Sequence, residues 1–250
     1  MFPDPLFIRK GQGVTPTAYA THLHQYISRG MEAFLSALDI TGSPHQQRVI
    51  TIATTPAMGA LLMPGLASAL KPTFPQILLH NIAIVDAARQ LDQRQVDLLI
   101  DTHLHSGQVI SHHVLYQDRV QMYCRAGHPA LDGPQDETTL AEYEFALLLP
   151  EGQRYPTLHR RLQEEMGERR CGFSTFNLMT QAAMIAGSDM LGLTTERLFA
   201  MVSRLWPLQT LDFPSLGGEQ IDVALHFNKL SGKEPLLKEI IETVIRSFKA

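Results

Sequence analysis

From Arg48 onward the chain alternates short apolar runs with longer segments of helical period. Arg48-Val49-Ile50-Thr51-Ile52-Ala53 predicts a strand, Pro56 to Leu70 a helix, Ile77-Leu78-Leu79 a strand, Val85 to Gln93 a helix and Val96 to Ile100 a strand. Strands separated by helices imply a parallel sheet with right-handed crossovers. The rhythm breaks at Val114-Leu115-Tyr116 and Val120 to Cys124, two apolar runs with no helix between them, and restarts at Phe145 to Leu149. A helix around 156–166, a strand at 171–176, a helix at 177–187, a short strand at 190–193, a helix at 195–204 and a strand at 206–212 follow. Ile221 to Phe227 reads as a further strand and 233–248 as a closing helix. Two helix-less crossings around a second series of this kind predict two lobes joined by two strands, with 48–118 and 222–250 in lobe one and 119–221 in lobe two. In open α/β sheets ligands bind outside the carboxyl ends of the strands, here between the lobes.

Ahead of this series, Thr17 to Asp39 reads as one helix, with Pro16 at its start and the turn-forming run Asp39 to Pro44 at its end. Leu23, Ile27, Met31, Phe34 and Leu38 recur at spacings of three and four and share one face. At 1.5 Å per residue the helix is about 35 Å long, more than a small domain covers. Its apolar face packs either on its own core or on a second copy of the chain. The turn-rich stretch at 41–47 favours the second copy, so 17–47 is expected to be a dimerising linker helix and hinge, in a homodimer or homotetramer. Before it, an apolar triplet, Leu6-Phe7-Ile8, and a short return strand flank a basic tip, Arg9-Lys10-Gly11-Gln12-Gly13, where the glycines supply the positive φ of a tight hairpin.

With 250 residues the chain can bury a substantial core, and its 44% hydrophobic and 18% charged content is ordinary for a folded protein. The net charge of −4 argues that the bulk of the chain is not a nucleic-acid surface. No apolar run reaches the roughly 20 residues of a membrane helix, and Met1 to Asp4 lacks the features of a signal peptide, so a cytoplasmic location and no membrane contact are expected. Cys124 and Cys171 lie in strand-like runs without metal-ligand spacing and are expected to be buried, reduced thiols.

Several phrases carry a resemblance. The hairpin Leu6 to Thr17 resembles the wing that ends the winged helix-turn-helix of LysR-type transcriptional regulators, closest to their NodD/LeuO/YbeF-like branch. Leu62-Met63-Pro64 with Phe74-Pro75, Val96-Asp97-Leu98-Leu99-Ile100, Arg125 to Leu131 with its His128-Pro129, and Ala183 to Leu193 are similar, in order and spacing, to segments of that family's effector domain. The resemblance implies an α/β, two-lobe, periplasmic-binding-protein-like (type 2) effector domain preceded by a remnant wing (1–16) and the linker helix. In that family the helices that read the major groove lie upstream of the wing, and here Met1 takes their place, so promoter DNA is an expected partner only of a full-length protein. Arg9, Lys10 and Gln12 are the wing residues placed to touch DNA. One departure concerns the ligand site: Thr194-Thr195 stand where the family usually has Pro after its strand.

For a small effector, anionic by preference, the turn Thr54-Thr55-Pro56-Ala57 offers hydroxyls and backbone N–H groups at a helix start. Plain capping is the alternative role for both threonines. Phe176 and Asn177 offer a second such turn. Asp101 and Thr102 after the third strand, Leu149 after the first lobe-two strand, and Thr194 are also expected at the cleft. His226 either points into the cleft or pairs with a backbone carbonyl. His103, His105, His112 and His113 lie in a polar loop and are not expected to bind metal. No nucleophile elbow, zinc-protease motif, Walker loop or dinucleotide fingerprint is present, which disfavours an enzyme and leaves no expected cofactor. A free-standing solute-binding protein of the same fold is the competing reading, opposed by the missing secretion signal and by the hairpin and long helix at the start.

Overall fold

A computed structural model describes residues 5–10, 13–39, 48–148, 170–212 and 220–249, and divides the chain into two units, Met1–Gln47 and Arg48–Ala250. The helix expected at 156–166 lies outside the described residues, as does the 41–47 linker.

In the first unit, strands β1 (Phe7–Lys10) and β2 (Gly13–Pro16) pair antiparallel, with Lys10 opposite Gly13. Helix α1 (Ala18–Asp39) follows directly. Thr17 starts it: its Oγ1 accepts the Ala20 N–H at 3.1 Å, and its own N–H donates to the Leu6 carbonyl at 3.0 Å, which ties the helix to the hairpin. Tyr26, Ile27, Met31 and Phe34 are all more than half exposed.

Among the described residues, the second unit is built on a nine-stranded sheet. In its first half β3 (Arg48–Thr54) pairs parallel with β4 (Ile77–Ala83) and β5 (Leu98–Asp101), and β11 (Gln220–Asn228) runs antiparallel to β5. The second half comprises β7 (Phe145–Leu148), parallel to β8 (Cys171–Thr175) and β9 (Leu191–Thr195), with β10 (Leu208–Leu211) at one side. Among the described residues, one long strand runs through both halves. β6 (Ile110–Arg125) pairs with β11 from Ile110 to Arg119, then with β9 from Val120 to Tyr123, and with β10 from Met122 to Arg125.

The sequence pattern predicts two strands where β6 is continuous, because Gln117-Asp118-Arg119 has the composition of a turn. Those polar residues are accommodated inside the ladder. Gln117 Nε2 donates to Asp222 on β11 at 2.9 Å, and Asp118, 4% exposed, accepts from the Arg119 and Arg197 amides at 3.0 and 3.4 Å. Asp118 thereby caps α6 (Glu196–Val202), whose own cap residue Thr195 makes no side-chain capping bond. Tyr116 lies between the Arg197 guanidinium, 4.0 Å from its ring centre, and the stacked ring of Phe248.

Helix α2 (Pro56–Leu70) and the closing helix α7 (Pro235–Ser247) cover one face of the first half-sheet. Leu62, Leu66 and Leu70 meet Ile50, Ile52, Leu98 and Ile100, together with Leu237, Ile240 and Val244. The same core runs into the second half through Tyr123, Ala146 and, from α5 (Leu178–Ala186), Leu178, Ala182 and Ile185. The opposite face of the first half packs Ala53 and Leu99 on α3 (Ala87–Asp92). A separate core gathers Val120, Met122, Phe145, Leu191 and Leu193 with Leu140 of the short α4 (Glu137–Leu140).

Two of the family-like phrases meet in space. Arg125 pairs with Asp189 at 2.7 Å, and buried His128 bonds the Asp189 carbonyl at 3.1 Å while its Nδ1 accepts the Ala130 N–H, around Gly127 at φ +68°. Cys124 is buried as expected, whereas Cys171 is exposed. It sits on β8, the outer strand of the sheet, so strand-like composition there did not mean burial.

Gly192 on β9 marks the tightest contact between sheet and helix. A Cβ there would lie 2.9 Å from the Tyr123 ring and still closer to Ile185 Cδ1. Gly192→Ala is expected to destabilise the domain by about 1–3 kcal/mol through overpacking. An unchanged thermal midpoint would show that Ile185 and Tyr123 can move aside.

Candidate effector site

The parallel strands of each half-sheet end at the turns that start helices. β3 ends at Thr54, and α2 begins at Pro56, the first helical position that tolerates a missing N–H. Thr55, extended at φ −67° and ψ 156°, accepts the Met58 N–H at 3.3 Å. β8 ends at Thr175, and Asn177 caps α5 by accepting the Met179 and Thr180 amides at 2.8 and 3.4 Å. Helices α2 and α5 approach each other across the shared core. Each retains one first-turn donor, the Ala57 and Leu178 amides, for which no partner exists among the described residues. Both residues are buried, Ala57 to 9% and Leu178 to 1% exposure. Backbone amides left without partners in buried residues are rare, and the positive end of each helix dipole adds to their demand for an acceptor.

Thr54 is more committed than its sequence suggests. It is 1% exposed and accepts from Asn81 Nδ2 at 3.0 Å, while Asn81 also donates to the Ile52 carbonyl. Gly59 leaves room for this knot: a Cβ there would stand 2.7 Å from Asn81 Oδ1 and 2.8 Å from Thr54 Oγ1. The hydroxyl proton of Thr54 remains as a donor to an anion. Phe176 is 53% exposed beside Asn177, and Thr194, at 6%, has an Oγ1 with no partner among the described residues.

Asp101, Thr102 and His226 form a different cluster. Thr54 pairs with Ile100 and shares its face, so Asp101 lies on the other face, with Leu99 and α3. Asp101 accepts the Thr102 amide at 2.7 Å and the His105 ring at 2.8 Å. The His105 backbone N–H then donates to His226 Nε2 at 3.1 Å, which leaves the neutral imidazole its proton on Nδ1. His226 is fully buried opposite Leu99 and His112, with the His105 and His112 rings 5.1 and 5.8 Å away. Burial above all, reinforced by His105 and opposed by Asp101, pulls its pKa down to about 4. No three His, Cys, Asp or Glu side chains among the described residues converge on a common point for a metal.

Leu149, Gln12 and the Lys10 side chain lie outside the described residues, and Arg9 is exposed on β1. Three residues not foreseen emerge. Asn81 engages Thr54. Gln181, fully buried, accepts from the Tyr123 hydroxyl at 3.0 Å and donates to the Ala146 carbonyl at 2.7 Å. Gln121 carries a buried Oε1 without a partner among the described residues. Gln181 had a signal in its sequence, a polar residue on the face of Leu178, Ala182 and Ile185. Asn81 and Gln121 had none.

The family model for the LysR substrate binding domain matches residues 43–249. The chain is 48% identical over 248 residues, 99% of its length and 78% of the relative's, to the uncharacterized HTH-type transcriptional regulator YbeF of Escherichia coli strain K12. Among solved structures it is similar to the probable transcriptional regulator PA0477 from Pseudomonas aeruginosa, with a TM-score of 0.76 at 18% identity over 96% of this chain and 80% of that one. It is also similar to a full-length OxyR variant from the same organism, with a TM-score of 0.66 at 17% identity over 97% and 84%. The chain therefore belongs to the LysR family of transcriptional regulators, and residues 43–249 are its substrate-binding domain.

Proposed function

We propose that this chain is the effector-sensing and dimerising part of its regulator, and that a small organic anion binds where α2 and α5 approach each other. The observation that carries this is the pair of backbone amides of the buried residues Ala57 and Leu178, one in the first turn of each helix, without partners among the described residues. An acceptor between them satisfies both, with Thr55, Asn177 and the Thr54 hydroxyl beside it and Phe176 as wall. The anion favours the arrangement of the two half-sheets that brings both helix starts to it, and this difference in affinity is what shifts the population. Arg9, Lys10 and Gln12 at the hairpin contribute phosphate contacts, which position a regulator on DNA without reading sequence. Two or four copies associate through α1.

The test is a thermal-shift screen of small carboxylates. A ligand at a hundred times its dissociation constant adds about 2.7 kcal/mol of stability. Thr55→Val and Asn177→Ala are each expected to weaken a hit by about 1–3 kcal/mol. A hit indifferent to both substitutions would place the ligand elsewhere and overturn this assignment.

A further inference from the structure

We propose that Gln121 and Thr194 form an uncharged hydrogen-bonding subsite of the same cleft, which selects a carboxylate that also bears a hydroxyl group. The inference rests on the effector reading above and adds to it the chemistry of the ligand.

Gln121 and Thr194 stand opposite one another in the β6–β9 ladder. Two residues along, the pair Tyr123 and Gly192 points to the same side, and that side is covered by α5: Ile185 packs on Gly192, and the Tyr123 hydroxyl donates to Gln181. β9 runs parallel to β7, and β7 to β8, from whose end α5 turns back, so α5 runs against β9. Moving along β9 from Gly192 to Thr194 is therefore moving toward the start of α5, with Asn177 and the open Leu178 amide.

The next rung is fully satisfied, since Tyr123, Gln181 and the Ala146 carbonyl bond one another. The rung at Gln121 and Thr194 is unsatisfied: Oε1 and Oγ1 are both shut off from solvent without a partner among the described residues, and Thr194 as a whole is only 6% exposed, so an occupant reaches them as the two half-sheets part. Buried groups in this state oppose folding, and a neighbouring pair of them needs an occupant. The occupant's chemistry follows from the atoms. An amide oxygen only accepts, whereas a hydroxyl both donates and accepts. A carboxylate offers acceptors alone, so it pairs with Gln121 only through Nε2 and leaves Oε1 unmet. An alcohol or phenol donates to Gln121 and accepts from Thr194, leaving the carboxylate of the same molecule for the helix starts. A proline in place of Thr194 would have no such hydroxyl to offer.

The experiment uses the whole chain and its Gln121→Met and Thr194→Val variants. Thermal midpoints are measured without ligand and with three matched pairs at millimolar concentration: lactate and propionate, malate and succinate, 4-hydroxybenzoate and benzoate. Without ligand, each variant is expected to melt about 2–4 °C above the parent, as removal of an unsatisfied buried group implies for a domain of this size. With ligand, the hydroxylated member of at least one pair is expected to bind the parent at least tenfold more tightly than its partner, and the variants to lose that preference while keeping the affinity for the partner. Lower midpoints in both unliganded variants would mean the two groups are satisfied within the fold and would overturn the subsite. Equal binding of both members by the parent would overturn the subsite alone. No shift from any of the six acids would overturn the anion reading of the cleft and the subsite together.

Discussion

Acidification between pH 6.5 and 4 is expected to cost the Arg48–Ala250 domain about 3 kcal/mol through His226 alone. The folded protein holds His226 neutral down to a pKa of about 4, against an ordinary 6.5. Its Nε2 is occupied in accepting the His105 N–H, and the ring is shut off from solvent. Above pH 6.5 the imidazole is neutral in both folded and unfolded chains, and its contribution is fully present. As the pH falls below 6.5 the unfolded chain takes up a proton that the folded one refuses, so stability drops through this window until the folded form also titrates near 4. Each pKa unit of difference is worth 1.36 kcal/mol. His226→Gln keeps an acceptor for the His105 amide and does not titrate. Urea unfolding of both proteins from pH 7.5 to 4.5 is the measurement, because the carboxylates common to both cancel in the difference. The variant is expected to lose about 2–3 kcal/mol less than the parent across the range. Parallel curves would show that His226 takes up its proton within the fold.

His226 also shows where reading the chain runs out. A histidine in an apolar strand satisfies either a cleft or a backbone partner, and the choice depends on the loop at His105, whose path is not written in the strand itself. The repeating elements were legible because their periodicity is local: α1, α2 and α7 each start within a residue or two of the expected position, at a Thr or Pro that begins helices generally. The sequence of β6 reads as two strands because Asp118 has the look of a turn residue, and its partner, the Arg197 amide, lies far along the chain. Within the candidate site the capping roles of Thr55 and Asn177 follow from the residues beside them. The capture of the Thr54 hydroxyl by Asn81, and the unmet Oε1 of Gln121, arise from strand register, which alternation alone does not specify.

Replacing Ile27 and Phe34 by Asp is expected to weaken self-association by a factor of about 10²–10⁴. Ile27 and Phe34 are 56% and 61% exposed along α1, in the same stripe as Tyr26 and Met31. Full burial of an aliphatic or aromatic side chain contributes about 1.5–3 kcal/mol, so covering the exposed part of each contributes about 0.8–1.6 kcal/mol; a dimer loses four such side chains, about 3–6 kcal/mol before any penalty for burying the new carboxylates, and each 1.4 kcal/mol is tenfold in the dissociation constant. Both substitutions lie within Met1–Gln47, outside the unit that carries the large core. The thermal midpoint of the Arg48–Ala250 domain should therefore stay within a degree or two of the parent's in the same variant, which separates lost association from lost folding. Sedimentation velocity over a concentration series gives both oligomeric states directly. A parent chain that remains monomeric at the highest concentrations, or a variant that associates as tightly as the parent, would remove α1 as the contact between copies.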